Sequence, residues 1–171
     1  METDFLSQRD RSPFHVSEAT LAEMDILAPL FDAYRQIYRQ PSDVAAAQAF
    51  LERRLARRES VVFLACRNQP GAREGLGFAQ LYPGFSSVVL GSIWVLNDLY
   101  VAPPFRRQGV ASRLLEEIRQ FALKTRARRV ALNTGAGNHA AQLLYEKRGW
   151  IRNAEFCAYS LELHDLEISP P

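Results

Sequence analysis

The sequence predicts an α/β chain of the α+β kind, in element order β-α-α-β-β-β-α-β-α-β, and three features carry that reading. Two segments, Glu23 to Arg39 and Val44 to Arg58, hold apolar residues at helical spacing. Apolar runs between Ser60 and Val101 are divided by short phrases with proline and glycine, as in an antiparallel meander. The last of these runs stops at Pro103-Pro104, and a basic turn with a glycine opens directly into a further amphipathic helix.

Phe14-His15-Val16 reads as a first strand, with Ser17 to Thr20 as the turn into the first helix. That helix presents Leu27, Leu30, Phe31, Tyr34, Ile37 and Tyr38, and Gln40-Pro41-Ser42-Asp43 breaks it. Proline cannot continue the hydrogen-bond ladder, and Ser42 or Asp43 can cap the next helix. The second helix carries Val44, Ala47, Leu51 and Leu55 on one face. Arg53, Arg54, Arg57 and Arg58 near its end complement the negative helix terminus and read as solvated charges.

Ser60 to Cys66 is a buried-strand run, and Asn68 to Glu74 a polar turn. Gly75 to Tyr82 is the next strand, Pro83-Gly84 the next turn, and Val88 to Val101 a long β-rich segment. The junction helix follows with Val110, Leu114, Leu115, Ile118, Phe121 and Ala122. Arg128 to Asn133 is another strand, Asn138 to Arg148 a short helix closed by Gly149, and Phe156 to Leu163 a last strand of alternating character.

At 171 residues with 47% hydrophobic content, the chain suits one domain with a substantial core. The 21 basic and 19 acidic residues are spread along it, a balance that does not point to nucleic acid as a partner. No apolar run is long enough to span a membrane, and the start, Met1 to Asp10, has neither a basic n-region nor an apolar h-region, which predicts a cytoplasmic protein. Cys66 and Cys157 are far apart and lack metal-ligand spacing to any histidine. They read as buried thiols, with neither a disulfide framework nor a metal site behind them.

The junction has the makings of an anion seat. Around Gly109 to Ser112 successive backbone N–H groups point out of a helix start with no intrahelical partner. The helix dipole adds partial positive charge there, and Arg106 and Arg107 add full charge. A diphosphate fits such a seat. Gly109 and Ala111 are small enough to let it approach the backbone.

Arg106-Arg107-Gln108-Gly109-Val110-Ala111 resembles the Arg/Gln-x-x-Gly-x-Gly/Ala signature of the GCN5-related N-acetyltransferases, the GNAT superfamily. Asn138-His139-Ala140-Ala141-Gln142-Leu143-Leu144-Tyr145-Glu146-Lys147-Arg148-Gly149-Trp150 is similar to the family's Asn-x-x-Ala-x-x-Leu-Tyr-x-x-x-Gly-Phe/Trp, in the expected order and separation. The resemblance runs from about Phe14 to Leu163 and is tightest over Leu96 to Trp150. It implies a mixed sheet in which the strands before and after the signature helix run parallel but splay apart, with acetyl-coenzyme A (acetyl-CoA) in the gap.

It also implies the site. Arg106, Arg107, Gln108, Gly109, Val110, Ala111 and Ser112 would hold the diphosphate, and the backbone of Leu99, Tyr100 and Val101 would pair with the pantetheine amides. Asn138 and Lys147 would complete the cofactor site near the sulfur and the phosphates respectively. Acetyl transfer needs a proton for the departing thiolate and a deprotonated amine. Tyr145 stands where family members that use an acid place a tyrosine, although ordinary packing also accounts for a tyrosine on a short amphipathic helix.

Leu96-Asn97-Asp98-Leu99-Tyr100-Val101 resembles a strand of the diamine acetyltransferase branch in which a glutamate serves amine deprotonation. Asn97 stands in that position and cannot take a proton. Asp98 remains as the candidate base, but strand alternation puts it on the face opposite Asn97 and Leu99. Acceptor specificity in the family comes mainly from the first two helices and the β-hairpin loop. Here these offer Tyr34, Tyr38 and Phe85, with Asp32, Asp43, Tyr82 and Trp94 nearby, a set suited to a cationic amine. Tyr34 and Tyr38 also fit as the core stripe of their helix.

The expectation is therefore direct transfer from acetyl-CoA to a primary amine of a small molecule, with protein or peptide amines as the alternative acceptor. Many family members pair through terminal strands, which implies a homodimer joined through Phe156 to Leu161. Two other classes stand beside this one. A non-catalytic binder could share the fold. Gly135-Ala136-Gly137-Asn138-His139-Ala140, with Glu155 beyond it, formally fits a dinucleotide fingerprint.

Overall fold

A computed structural model describes residues 13–155 and 157–161. They fall into two compact units, one up to Ala136 and one from Gly137 onward. The first contains a sheet of five strands in the order β1-β2-β3-β4-β5: His15–Glu18, Val61–Gln69, Ala72–Ser86, Gly91–Val101 and Val130–Leu132. Neighbours run antiparallel except β4 and β5, which are parallel. This is the mixed sheet expected, and it is not the parallel doubly wound sheet that a dinucleotide fold at Gly135 would require.

Helices α1 (Met24–Ile37) and α2 (Val44–Ala56) cover one face of the sheet. The chain enters them through a short 3-10 turn, Leu21–Glu23, whose capping box pairs the Thr20 amide with Glu23 Oε2 at 2.8 Å. Asp43 caps α2 by accepting from the Ala46 amide at 2.8 Å. Leu27, Ala28 and Phe31 from α1, with Ala47 and Leu51 from α2, bury against Val62, Leu64, Cys66, Phe78 and Tyr100. Each leucine fully removed from water there contributes roughly 1.5–3 kcal/mol.

Helix α3 (Val110–Lys124) covers the opposite face. It buries Val110, Leu114, Leu115 and Ile118, and sets the Phe121 ring 5.5 Å from Phe63 and 5.0 Å from Trp94. The second unit contains α4 (His139–Lys147), followed by Gly149 with φ +81°.

Several element boundaries differ from the sequence reading. The turn expected over Asn68 to Glu74 shrinks to Pro70-Gly71, because Gln69 and Ala72 already pair. Pro83-Gly84 is not a turn: β3 runs through to Ser86, and the hairpin tip is at residues 87–90. Beyond Leu81, the partner of Val61 at the start of β2, strand β3 has a neighbour on one side only among the described residues, and a residue without an N–H is tolerated at such a place.

The last predicted strand is absent where it can be judged. Residues 157–161 have no regular structure, while Phe156, Glu162 and Leu163 lie outside the described residues. Alternation supplied an apolar face there but no ladder partner. Cys157, expected to be buried, is exposed, whereas Cys66 is buried.

Candidate active site

Strand β4 organises the site, and an irregularity in it decides the geometry. Gln80 of β3 pairs with Asp98, but the next residue, Leu81, pairs with Leu96. Asn97 is therefore an extra residue, a β-bulge, and the bulge resets the alternation. On the near side of it Trp94 faces α3, its ring against Phe121 and its indole Nε1 donating to Thr125 Oγ1 at 3.0 Å. On the far side Asp98 lines a cavity beneath α1 and α2, and Tyr100 packs 6.2 Å from Tyr34.

The same point ends the pairing with β5. That parallel ladder joins Trp94, Val95 and Leu96 to Val130, Ala131 and Leu132 and goes no further. Among the described residues, β4 from Asn97 to Val101 pairs with β3 alone and leaves its other edge open. The open edge contains Leu99, Tyr100 and Val101, the backbone expected to pair with an extended ligand.

The turn between β4 and α3 has an unusual backbone. A 3-10 turn, Pro103–Phe105, leads to Arg107 at φ +64° and Gly109 at φ +85°. No side chain caps α3, and the amides of Val110, Ala111 and Ser112 have no hydrogen-bond partner among the described residues. Two of the polar side chains expected to grip phosphate are partly engaged with the chain itself. Arg106 Nε donates to the Val101 carbonyl at 3.0 Å, and Gln108 Nε2 to the Pro104 carbonyl at 2.8 Å. These contacts hold the turn to the strand end and leave Arg107 exposed beside the helix mouth. A Cβ on Gly109 would meet nothing within 4 Å, so its left-handed backbone and the space above it, rather than internal crowding, account for glycine.

The cavity of about 500 Å³ beneath α1 and α2 is lined by Phe31, Tyr34, Tyr38, Phe50, Arg53 and Asp98, with Arg35, Gln40, Ala46 and Ala47. Asp98 is only 6% exposed. Burial pushes its carboxyl above the ordinary carboxylate range. Asn97 Nδ2, donating at 3.1 and 3.2 Å, and an interaction with Tyr34 offset part of that rise. The contact with Asn97 corrects the alternation argument: the bulge brings the two adjacent side chains together. Burial, and then the negative charge of Asp98, hold the Tyr34 phenol above its usual value. The same two causes push Tyr82 up to about 12.

The structure brings Tyr34, Tyr38 and Asp98 together and leaves Phe85 apart. Tyr34 serves two purposes, packing 5.8 Å from Phe78 in the core while lining the cavity. Tyr38 is 64% exposed, and Phe85, at 87%, lies near the β3–β4 tip and does not line the cavity. Asp32 is buried and used structurally. It accepts from Ser42 Oγ at 2.7 Å, the Asp43 amide at 2.8 Å and Gln36 Nε2 at 2.9 Å, and these bonds, the Asp43 amide first, hold its carboxyl below the usual range. Asp43 is spent as a helix cap, and Trp94 belongs to the opposite layer.

Arg53 and Phe50 were missed. Ala46, Phe50 and Arg53 share one face of α2 at helical spacing, the signal that could have found them.

Asn138, Tyr145 and Lys147 belong to the second unit. Asn138 caps α4 by accepting from the Ala141 amide at 3.2 Å, and Tyr145 sets its ring 5.7 Å from Trp150. Their parts in cofactor binding and proton transfer stay with the resemblance.

One strand thus offers an open edge beside unpaired helix amides and, around a bulge, a carboxylate in an aromatic cavity: the frame of a ligand-binding domain with two half-sites. A model of the Acetyltransferase (GNAT) family matches residues 27–150, and the chain belongs to that family of N-acetyltransferases. It is 40% identical over 149 residues to the uncharacterized N-acetyltransferase YhfO of Bacillus subtilis, covering 87% of this chain and 97% of that one. The crystal structure of a probable acetyltransferase superposes with a TM-score of 0.80 at 43% identity, covering 89% of this chain and 99% of the other. AAC(6')-Iy, solved with the bisubstrate analog CoA-S-monomethyl-acetylneamine, shares the fold with a TM-score of 0.71 at 19% identity, covering 89% of this chain and all of the other (100%).

Proposed function

We propose that this chain moves the acetyl group of acetyl-CoA directly onto a primary amine of a small molecule. The observation that carries the reading is the double use of β4, whose open edge at residues 99–101 adjoins the α3 amides while Asp98 faces the aromatic cavity. Both halves of a two-substrate reaction then meet along one strand. The fold neighbour AAC(6')-Iy, solved with the bisubstrate analog CoA-S-monomethyl-acetylneamine, supports the binding of two substrates in this fold.

The residues fit an acyl-CoA. Unpaired N–H groups at Val110, Ala111 and Ser112 suit a diphosphate, with Arg107 adding charge, and the open edge of β4 suits an extended chain of amides. Bound there, the carrier supplies a thioester carbonyl for attack. Asp98, its carboxyl already raised toward neutrality by burial, takes a proton from the incoming amine as the N–C bond forms. Tyr145 gives a proton to the sulfur as the C–S bond breaks, and proton exchange with solvent restores both groups. The products are the acetamide and free CoA thiol. Rate acceleration comes from orienting two bound reactants and from the two proton transfers.

Release of free CoA thiol tests the proposal when measured against polyamines, aminoglycosides, amino acids and lysine peptides. The peptide arm separates protein from small-molecule acceptors. Tyr145→Phe is expected to lower turnover by ~10²–10⁴, the range general-acid catalysis supplies, while leaving cofactor affinity nearly intact. An unchanged rate removes Tyr145 from the mechanism.

A further inference from the structure

The cavity beneath α1 and α2 carries a second charge of opposite sign to Asp98. Arg53, on the last turn of α2, lines it. The Arg53 Nε is buried and has no hydrogen-bond acceptor among the described residues. Its neighbours are placed differently. Arg54 pairs with Glu59 at 2.9 Å and lies over the Phe50 ring at 5.4 Å, and Arg35 reaches Asp32 at 3.5 Å. Arg57 and Arg58 are exposed. Of the arginines grouped near the end of α2, then, only Arg53 turns toward the cavity, and it has no counter-ion among the described residues.

A buried guanidinium N–H with no acceptor is costly, because desolvation is incurred and nothing is gained in return. A ligand carboxylate reverses that balance with charge-assisted bonds, which a planar guanidinium can make in pairs. Of the remaining walls Tyr34, Arg35, Tyr38 and Gln40 are polar, while Phe31, Phe50, Ala46 and Ala47 form an apolar part. The apolar part matches the body of a molecule rather than its ends. Asp98 belongs to a strand and Arg53 to a helix, so the two charges approach the space from different elements.

We propose that the acceptor is an amphoteric amine, a primary amine and an acidic group joined by an apolar body, with the amine at Asp98 and the acid on Arg53. The proposal rests on the reading of this cavity as the acceptor site. It makes Arg53 a specificity residue that works in two directions. It attracts an acidic end, and it repels the second charge of a diamine.

The test uses the full-length chain and three acceptors that differ only at the end remote from the reacting amine: 4-(aminomethyl)benzoate, 4-(aminomethyl)benzamide and 1,4-bis(aminomethyl)benzene. Thiol release is expected to give a kcat/KM for the carboxylate at least tenfold above the amide, with the diamine lowest. Arg53→Gln should erase that preference through KM, and Arg53→Lys should restore part of it. A wild-type preference for the amide or diamine overturns the proposal, as does a carboxylate preference that survives Arg53→Gln.

Failure of the catalytic reading is distinguishable. If none of the three releases thiol, acetyl transfer to such amines is refuted. Calorimetric binding of 4-(aminomethyl)benzoate still decides the anion subsite, since it should weaken about tenfold or more in Arg53→Gln. Equal binding to both proteins, or binding to neither, overturns the subsite.

Discussion

Burial holds the Asp98 carboxyl above its ordinary value of 3.8, and this has opposite effects on rate and on stability. The folded chain keeps a proton that the unfolded chain releases, so stability falls as pH rises through the interval from the ordinary value to the raised one, and stays lower above it. Asp98→Asn removes the burdened charge. At neutral pH this variant is expected to unfold at a higher temperature than the wild type while its kcat/KM drops by ~10²–10⁴, the usual contribution of a general base. The wild-type kcat/KM should climb with pH through the raised pKa, and the variant should lack that acid limb. A variant that keeps both rate and limb excludes Asp98 as the base. Asp32 shows the contrasting case, a buried carboxylate satisfied by three short hydrogen bonds and held below its usual range. Nothing in residue type separates the two. The difference arises from what the fold brings to each.

Among the elements, β4 is the one on which both half-sites depend, and Gly77 of β3 fixes how closely β3 approaches it. A Cβ at Gly77 would fall on the carbonyl oxygen of Tyr100 and 3.0 Å from the Cα of Val101, backbone atoms that cannot swing aside. Gly77→Ala must push β4 away at the residues proposed to pair with the carrier. CoA affinity measured by calorimetry should fall at least tenfold, together with the unfolding midpoint. Near-normal affinity would detach residues 99–101 from the cofactor. The helices and the strand–turn–helix junction were legible because apolar spacing, caps and breakers are local signals: Asp43 caps α2, and α3 starts at Val110 as its pattern indicates. What escaped was set by neighbours. Pro83-Gly84 looks like a turn but sits where β3 needs one partner only, and the bulge at Asn97 exists as an offset between two strands. Arg53 was read as one of four solvated charges because the cavity it lines is closed by α1 and β4, far away in sequence.

For the molecule as a whole, a ligand that binds only the folded chain stabilises it by mass action. At a hundredfold excess over Kd the gain is about 2.7 kcal/mol. Acetyl-CoA should therefore raise the melting temperature by several degrees in a chain of this size, whereas NADH should leave it unchanged. The reverse result would assign the helix mouth to another nucleotide. The extra residue at Asn97 has a further bearing on comparison among homologues. In β structure an extra residue exchanges inward and outward for every position beyond it unless it is absorbed as a bulge, which keeps the ladder pairs on either side facing as they would without it. Because Leu96 stands opposite Leu81 and Asp98 opposite Gln80, a relative lacking this residue would keep its equivalent of Asp98 facing the cavity, in unbroken alternation with its neighbours. Substrate inference across such an indel must be made by ladder partner, not by counting residues along the strand.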